Sequence, residues 1–239
     1  LGDVYKRQIY TVELGADPIQ LGGLSSIGSL VNAFISAPIG WLADRYSLKT
    51  AYLLGLILEA LVPLCFALSW SWEVLVIPVI LSSLTMVTTL TIERVLIADS
   101  LRDKDRATGF GVFMTVSQIS AMISPVTAGL IVTWLGGISA KAIRPLFYIA
   151  FIISSLTSTW VYFKLRDIRP SPSLRQEKFL SGFRRVLVGR WWLRRWLIVE
   201  LLGSFIFGST MPFIMVYAAE IKDADAITLG LMGSALSLI

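Results

Sequence analysis

Charge in this chain is confined to short joints between long apolar runs, and that confinement limits the fold more than any other feature. Residues 21–43, 107–134 and 145–163 contain no Asp, Glu, Lys or Arg, while 50–69 and 196–217 carry one charge each, Glu59 and Glu200. Residues 74–98 carry only Glu93 and Arg94, near their far end. About 20 apolar residues, rising 1.5 Å each, cross the roughly 30 Å of a bilayer's hydrocarbon. The runs lack the period-two alternation of a barrel strand, so helices are the expected spans. Composition agrees, with 55% of the 239 residues hydrophobic, 15% charged and a mean hydropathy of +0.74, far more apolar than a soluble domain. The expected fold class is an all-α, multi-pass membrane protein.

The distribution of positive charge sets the orientation. With the joint at Gly40 to Thr50 on the cytoplasmic side, sixteen Lys and Arg fall on that side: Arg45, Lys49, Arg94, Arg102, Lys104, Arg106 and ten from Lys164 to Arg195. Only Lys141, Arg144 and Lys222 fall opposite. This is the positive-inside asymmetry of an integral membrane protein. The net charge of +5 therefore reports topology, and no nucleic-acid partner is expected, because the basic stretch is a short joint between spans. With no histidine and a single cysteine, Cys65, inside a span, neither a His metal site nor an internal disulfide is available. No metal or cofactor is expected.

Taken in order, the expected helices cover about 21–43, 51–69, 74–98, 107–134, 145–163 and 196–217, with another beginning near Thr228. Asp3 to Gln8, DVYKRQ, resembles a translated sequencing adapter, so residues 1–8 are expected to stand outside the fold. Residues 9–14 then read as the last turn of an earlier helix, and the chain as a fragment. The stretch 164–195 reads as a basic linker opened by Arg169-Pro170-Ser171-Pro172. Within it Leu180, Phe183, Leu187 and Trp191 recur at helical spacing, as in an amphipathic helix on an anionic membrane surface.

One internal repeat organises these spans. Shifted by 208 residues, Ala16 to Leu30 aligns with Ala224 to Leu238 at eight identical positions of fifteen. With one gap Tyr10 pairs with Tyr217 and Glu13 with Glu220. The last two spans thus copy the first two, and the long basic joint separates the copies.

The joint at Gly40 to Thr50, GWLADRYSLKT, resembles the loop between the second and third helices of the major facilitator superfamily. Residues 98–110, ADSLRDKDRATGF, resemble its next inner loop, and Ser124 to Gly129, SPVTAG, resembles its antiporter motif GPxxGG, with Pro125 and Gly129 matching. The resemblance covers residues 9–239. It implies a six-helix first half at 9–163, the linker at 164–195 and the start of a second half at 196–239, arranged as parallel repeats. It also implies a secondary active transporter that moves a small solute by alternating access, with proton-coupled export as the expected direction. In that reading Gly40 permits close helix approach, Asp44 latches onto the other half, and Arg45 and Lys49 supply matching positive charge. Ser47 and Leu48 depart from the family pattern.

Four polar residues inside the spans are candidates for cavity lining or coupling: Asn32, Glu59, Gln118 and Glu200. A charge inside the bilayer is costly enough to be functional by default. Glu59 lies midway along its span, while Glu200 is close enough to the interface to pair with Arg195 or Arg194. Ser25, Ser29, Asn32, Ser36 and Gly40 share one helical face, which suits close packing against another helix. Expected partners are the solute, the lipid bilayer and protons, in the plasma membrane of a prokaryote. Two other classes remain open, a multi-pass membrane enzyme and a receptor-like membrane protein. Without a P-loop pattern, an ion or solute gradient is the expected energy source.

Overall fold

Each apolar run forms one helix. The computed structural model describes residues 2–43, 48–165 and 191–236, and among these the regular structure is helical throughout, with no strand. The helices are α1 (Gly2–Glu13), α2 (Pro18–Ala43), α3 (Leu48–Leu68), α4 (Val76–Ser100), α5 (Arg106–Trp134), α6 (Ala140–Lys164), α7 (Trp191–Glu220) and α8 (Ala226–Leu236). Six of them, α2 to α7, are long and apolar enough to cross a membrane. The basic stretch at 166–190, with its expected amphipathic helix, and the loop residues Asp44 and Arg45 lie outside the described residues.

Local chemistry sets the helix starts. Asp17 and Gln20 form a capping box ahead of α2: Gln20 N donates to Asp17 Oδ1 at 2.7 Å and Asp17 N donates to Gln20 Oε1 at 2.8 Å. Two helices begin five residues earlier than expected. α6 starts at Ala140 rather than Pro145 because Ser139 caps it, accepting from Ala142 N at 3.2 Å. Gly136 and Gly137, at φ +103° and +95°, make the turn that delivers Ser139. α7 reaches back to Trp191, inside the stretch read as linker. At the other end of the chain, α1 runs through residues 2–8. Gln8 is buried and donates from Nε2 to Met211 O at 3.3 Å.

The hydroxyl run of α4 is satisfied largely within its own helix. Ser82 and Ser83 donate to Val79 O, Thr85 to Ser82 O and Thr88 to Leu84 O. Small residues let helices meet closely, as expected where no water drives association. A Cβ on Gly28 would lie 3.1 Å from Ser83 Oγ, and one on Gly55 3.2 Å from Thr88 Cγ2. Ser158 of α6 donates to Leu56 O of α3 at 3.2 Å. The most extensive pairings are α3 with α6, α5 with α8, α2 with α4 and α3 with α4.

Candidate functional site: the seam between the repeats

The repeat seen in the sequence is a repeat in three dimensions. α1 ends at Glu13 and α7 at Glu220, the paired glutamates. Two residues beyond Glu13, Gly15 has φ +91°, and its partner at a shift of 208, Asp223, has φ +50°. The shared aspartates then cap the next helices: Thr228 N donates to Asp225 Oδ1 at 2.8 Å, as Gln20 N does to Asp17. The Thr228 hydroxyl and then its N–H hold the exposed Asp225 carboxyl below the usual carboxylate range. Leu21 and Leu229, which follow at equivalent positions, are both buried.

Between α1–α6 and α7–α8 the seam is packed at its outer end. The main apolar core draws on every helix: Tyr10, Leu21, Phe66, Leu75 with the partly buried Val76, Val132, Phe147, Met215 and Leu229. All lie toward the end opposite the Gly40 to Thr50 joint, the end the positive-charge asymmetry marks as outer. Toward the inner face, the buried cluster shrinks to Leu48, Ile92 and Leu96, all within α3 and α4. Val116 of α5 and Phe205, midway along α7, are 60% and 74% exposed among the described residues.

The tightest contact across the seam is α5 against α8, and it uses both residues of the helix 5 motif. Pro125 is buried, and a Cβ on Gly230 would lie 2.7 Å from its carbonyl oxygen. A Cβ on Gly129 would collide with the Ala226 carbonyl oxygen. Gly233 faces the Pro125 ring, its added Cβ 3.0 Å from Pro125 Cβ. The Ser234 hydroxyl lies 2.5 Å from Met122 O and 3.0 Å from Gly230 O, so its proton is shared between two carbonyls. These glycines allow backbone to meet backbone.

A second node, missed in the sequence, seals the outer end within the first unit. Arg144 of α6 donates from Nε to Tyr10 Oη at 3.0 Å and from Nη2 to Ser69 O at 2.8 Å. Tyr10 Oη donates to the same carbonyl at 3.1 Å. The Tyr10 and Phe66 rings pack on Phe147 at centroid distances of 5.1 and 5.2 Å. The one available signal was an arginine in an outer joint poor in charge, directly before Pro145.

The sequence candidates do not converge on one point. Glu59 lies on the exposed side of α3 and accepts from Thr89 Oγ1 of α4 at 3.3 Å, with Tyr52 and Glu93 in electrostatic reach. Asn32 is partly buried on α2, its Oδ1 without a hydrogen-bond partner among the described residues. Gln118 is exposed on the inner stretch of α5. Glu200 is exposed on α7 and accepts from Ser204 Oγ at 3.3 Å. Lys49 sets its ammonium 5.8 Å over the Tyr162 ring of α6, within the first unit, and a Cβ on Gly40 would meet nothing within 4 Å. Among the described residues no His, Cys, Asp or Glu group is arranged to hold a metal. An open cleft of about 980 Å³ lies between the outer ends of α7 and α8, its rim carrying Tyr217, Lys222, Asp223 and Asp225. It includes none of the sequence candidates.

The fold matches solved transporters. Crystal structures of a mutant of the peptide transporter POT, in complex with alafosfalin and with sulfate, superpose with TM-scores of 0.52 and 0.54 at 18% and 20% identity. They cover 85% and 86% of this chain, which spans only 44% and 43% of theirs. No curated protein sequence matches significantly. The sequence profile described as Major Facilitator Superfamily matches residues 7–239. Paired repeats, a closed outer seam and a profile match across nearly the whole length lead to one assignment: the chain belongs to the Major Facilitator Superfamily.

Proposed function

We propose that residues 9–239 form the first six-helix half and the opening of the second half of a secondary active transporter. It moves a small solute by alternating access, in the export direction, driven by a proton gradient, across a prokaryotic plasma membrane. The observation that carries this reading is the one-sided seam: among the described residues the buried core that joins the two units lies toward the outer end, and the cluster at the inner end stays within α3 and α4. Two units whose main contact among the described residues lies toward one end can rock about that contact, exposing a central site to each side in turn.

In this reading the inner joint is the latch of the opposite state. Among the described residues nothing lies within 4 Å of a Cβ added at Gly40, which leaves the inner end of α2 room to receive the other half when the inner side closes. Asp44 and Arg45 would make that contact, with Lys49 held against α6 as part of the same rigid half. Asn32 and Gln118 line the solute path. Glu59 is the candidate proton carrier, because a carboxyl in hydrocarbon is stable chiefly when protonated or hydrogen-bonded. The likeness to peptide transporters supports the fold, and the substrate class proposed is no narrower than a small solute.

The test is flux in liposomes reconstituted with the full-length gene product, using a solute panel with and without an imposed pH gradient. Asp44→Ala is expected to lower gradient-driven flux by at least about tenfold, equivalent to about 1.4 kcal/mol, with normal membrane insertion. Unchanged flux in that variant would overturn the latch, and flux indifferent to the pH gradient would overturn proton coupling.

A further inference from the structure

We infer that Glu200 is the carboxylate that receives the positive group of the transported solute, and that the solute is an organic monocation with an apolar body. The inference rests on the two-half transporter reading above and adds to it the chemical class of the solute and the residue that recognises its charge.

The helices that meet across the seam are α1, α2 and α5 of the first unit and α7 and α8 of the second. Within 21–43, 107–134, 196–217 and 226–236, the spans of α2, α5, α7 and α8, Glu200 is the single Asp, Glu, Lys or Arg. The charges of α1 ahead of Ile9 fall in the stretch that resembles an adapter, and Arg7 among them sets its guanidinium 4.8 Å over the Phe66 ring of α3. Glu59 and Glu93 belong to the α3–α4 contact, in electrostatic reach of each other and of Tyr52. Asn32 and Gln118 are neutral amides. A positive group is therefore stabilised beside Glu200, while a carboxylate or phosphate on the solute would find no Lys or Arg on these spans to pair with it.

Glu200 stands on the face of α7 that meets the first unit. Glu200, Ser204, Phe207, Met211, Met215 and Ala218 follow at spacings of 4, 3, 4, 4 and 3, which makes one helical stripe. Toward the outer end, Met215 and Ala218 are buried in the core shared with α1, and Met211 O accepts from Gln8 Nε2 of α1. Toward the inner end, Glu200, Ser204 and Phe207 are exposed among the described residues. The stripe that closes the seam outside is continued inward by a carboxylate. Glu200 precedes the outer end of α7 at Glu220 by twenty residues, about 30 Å, and so lies near the inner mouth, where a solute leaving the cytoplasm arrives first.

The neighbours of Glu200 select an organic cation. Trp196, one turn before it, and Phe207, two turns after it, are 69% and 58% exposed. Aromatic faces attract an ammonium or guanidinium group and cover an apolar body. Ser204 Oγ donates to Glu200 Oε1 at 3.3 Å, which orients the carboxylate and leaves its remaining lone pairs for a donor. Among the described residues no cation pairs with it; Arg195, five residues earlier, falls on another face of the helix.

Thiol modification in the full-length product, freed of its native cysteines, tests this. Ser204→Cys is treated from the inner side, in inverted vesicles, with a trimethylammonium-bearing and a sulfonate-bearing thiosulfonate, each rate taken relative to that of uncharged N-ethylmaleimide. Adding Glu200→Gln should lower the cation-to-anion rate ratio about tenfold, and Glu200→Asp should retain most of it. Tetraphenylphosphonium or tetraethylammonium should slow modification several-fold with Glu200 and not with Glu200→Gln, and tetraphenylborate, which matches the phosphonium in size and shape, should not protect. A ratio indifferent to Glu200→Gln would overturn the role of the carboxylate. Protection by neither cation, or equal protection by the borate, would overturn the solute class. Modification of Ser204→Cys from the outer side alone would instead overturn the two-half seam on which the inference rests.

Discussion

Replacing Gly230 by Ala tests one of the close backbone approaches between α5 and α8. The added Cβ would lie 2.7 Å from Pro125 O, 3.2 Å from Pro125 C and 3.3 Å from Val126 Cα. These are main-chain atoms of α5, so no side chain can rotate away. Carbon contacts are most favourable at about 3.5–4.0 Å, so α8 must retreat by roughly 0.5–1 Å, a gap that forfeits about a quarter to a half of each neighbouring contact. Overpacking of this kind costs about 1–3 kcal/mol. Opposing it, Ala is the better helix former by about 1 kcal/mol. Gly111→Ala supplies the correction, since its Cβ would meet nothing within 4 Å on the same α5. The difference between the two variants is the clash alone, about 1–3 kcal/mol, or roughly five- to a hundredfold in the folding equilibrium. Equilibrium unfolding in mixed micelles of rising denaturing-detergent fraction measures both. Equal stability of the two variants would refute the backbone-contact account of the seam.

Other outcomes follow from single contacts. Tyr10→Phe removes the acceptor for Arg144 Nε and one donor to Ser69 O; with Tyr10 fully buried, it should destabilise the chain by about 1–3 kcal/mol, seen as a lower thermal midpoint in detergent, and an unchanged midpoint would show the node to be idle. The Asp225 carboxyl titrates below its usual range because of Thr228. The stability it gives the first turn of α8 is therefore complete above the unfolded value of about 3.9 and is lost as pH falls through the lower folded value. Amide exchange at residues 226–229, corrected for intrinsic rate, should show that loss in the native chain and no such step in Asp225→Asn. In transport, Glu59→Gln should abolish dependence on the pH gradient, at least about a tenfold loss of driven flux, and retained coupling would remove Glu59 from the proton path.

Much of the fold is legible in the chain because its signals are local. A span announces itself by about 20 uncharged residues, and the aspartates that cap α2 and α8 stand in the repeat alignment itself. The family resemblance carried by the Gly40 to Thr50 joint and by Pro125 and Gly129 agrees with the profile match over residues 7–239. Other local signals misled: Pro145 suggested a helix start, yet Ser139 after two left-handed glycines moved it to Ala140.

What the sequence by itself determined is the apolar spans, their order and the duplication, since each depends on residues near one another in the chain. Which helix faces meet was decided only in three dimensions. Lipid tails are as apolar as leucine, so an apolar face does not reveal whether it will touch lipid or protein. Hence Arg144 reaching Tyr10 and Ser69, Glu59 meeting Thr89, and Ser234 bridging to Met122 have no counterpart in local pattern. The closed outer seam is likewise a property of packed surfaces: it depends on Pro125 and Gly129 finding Gly230 and Ala226 about a hundred residues along the chain.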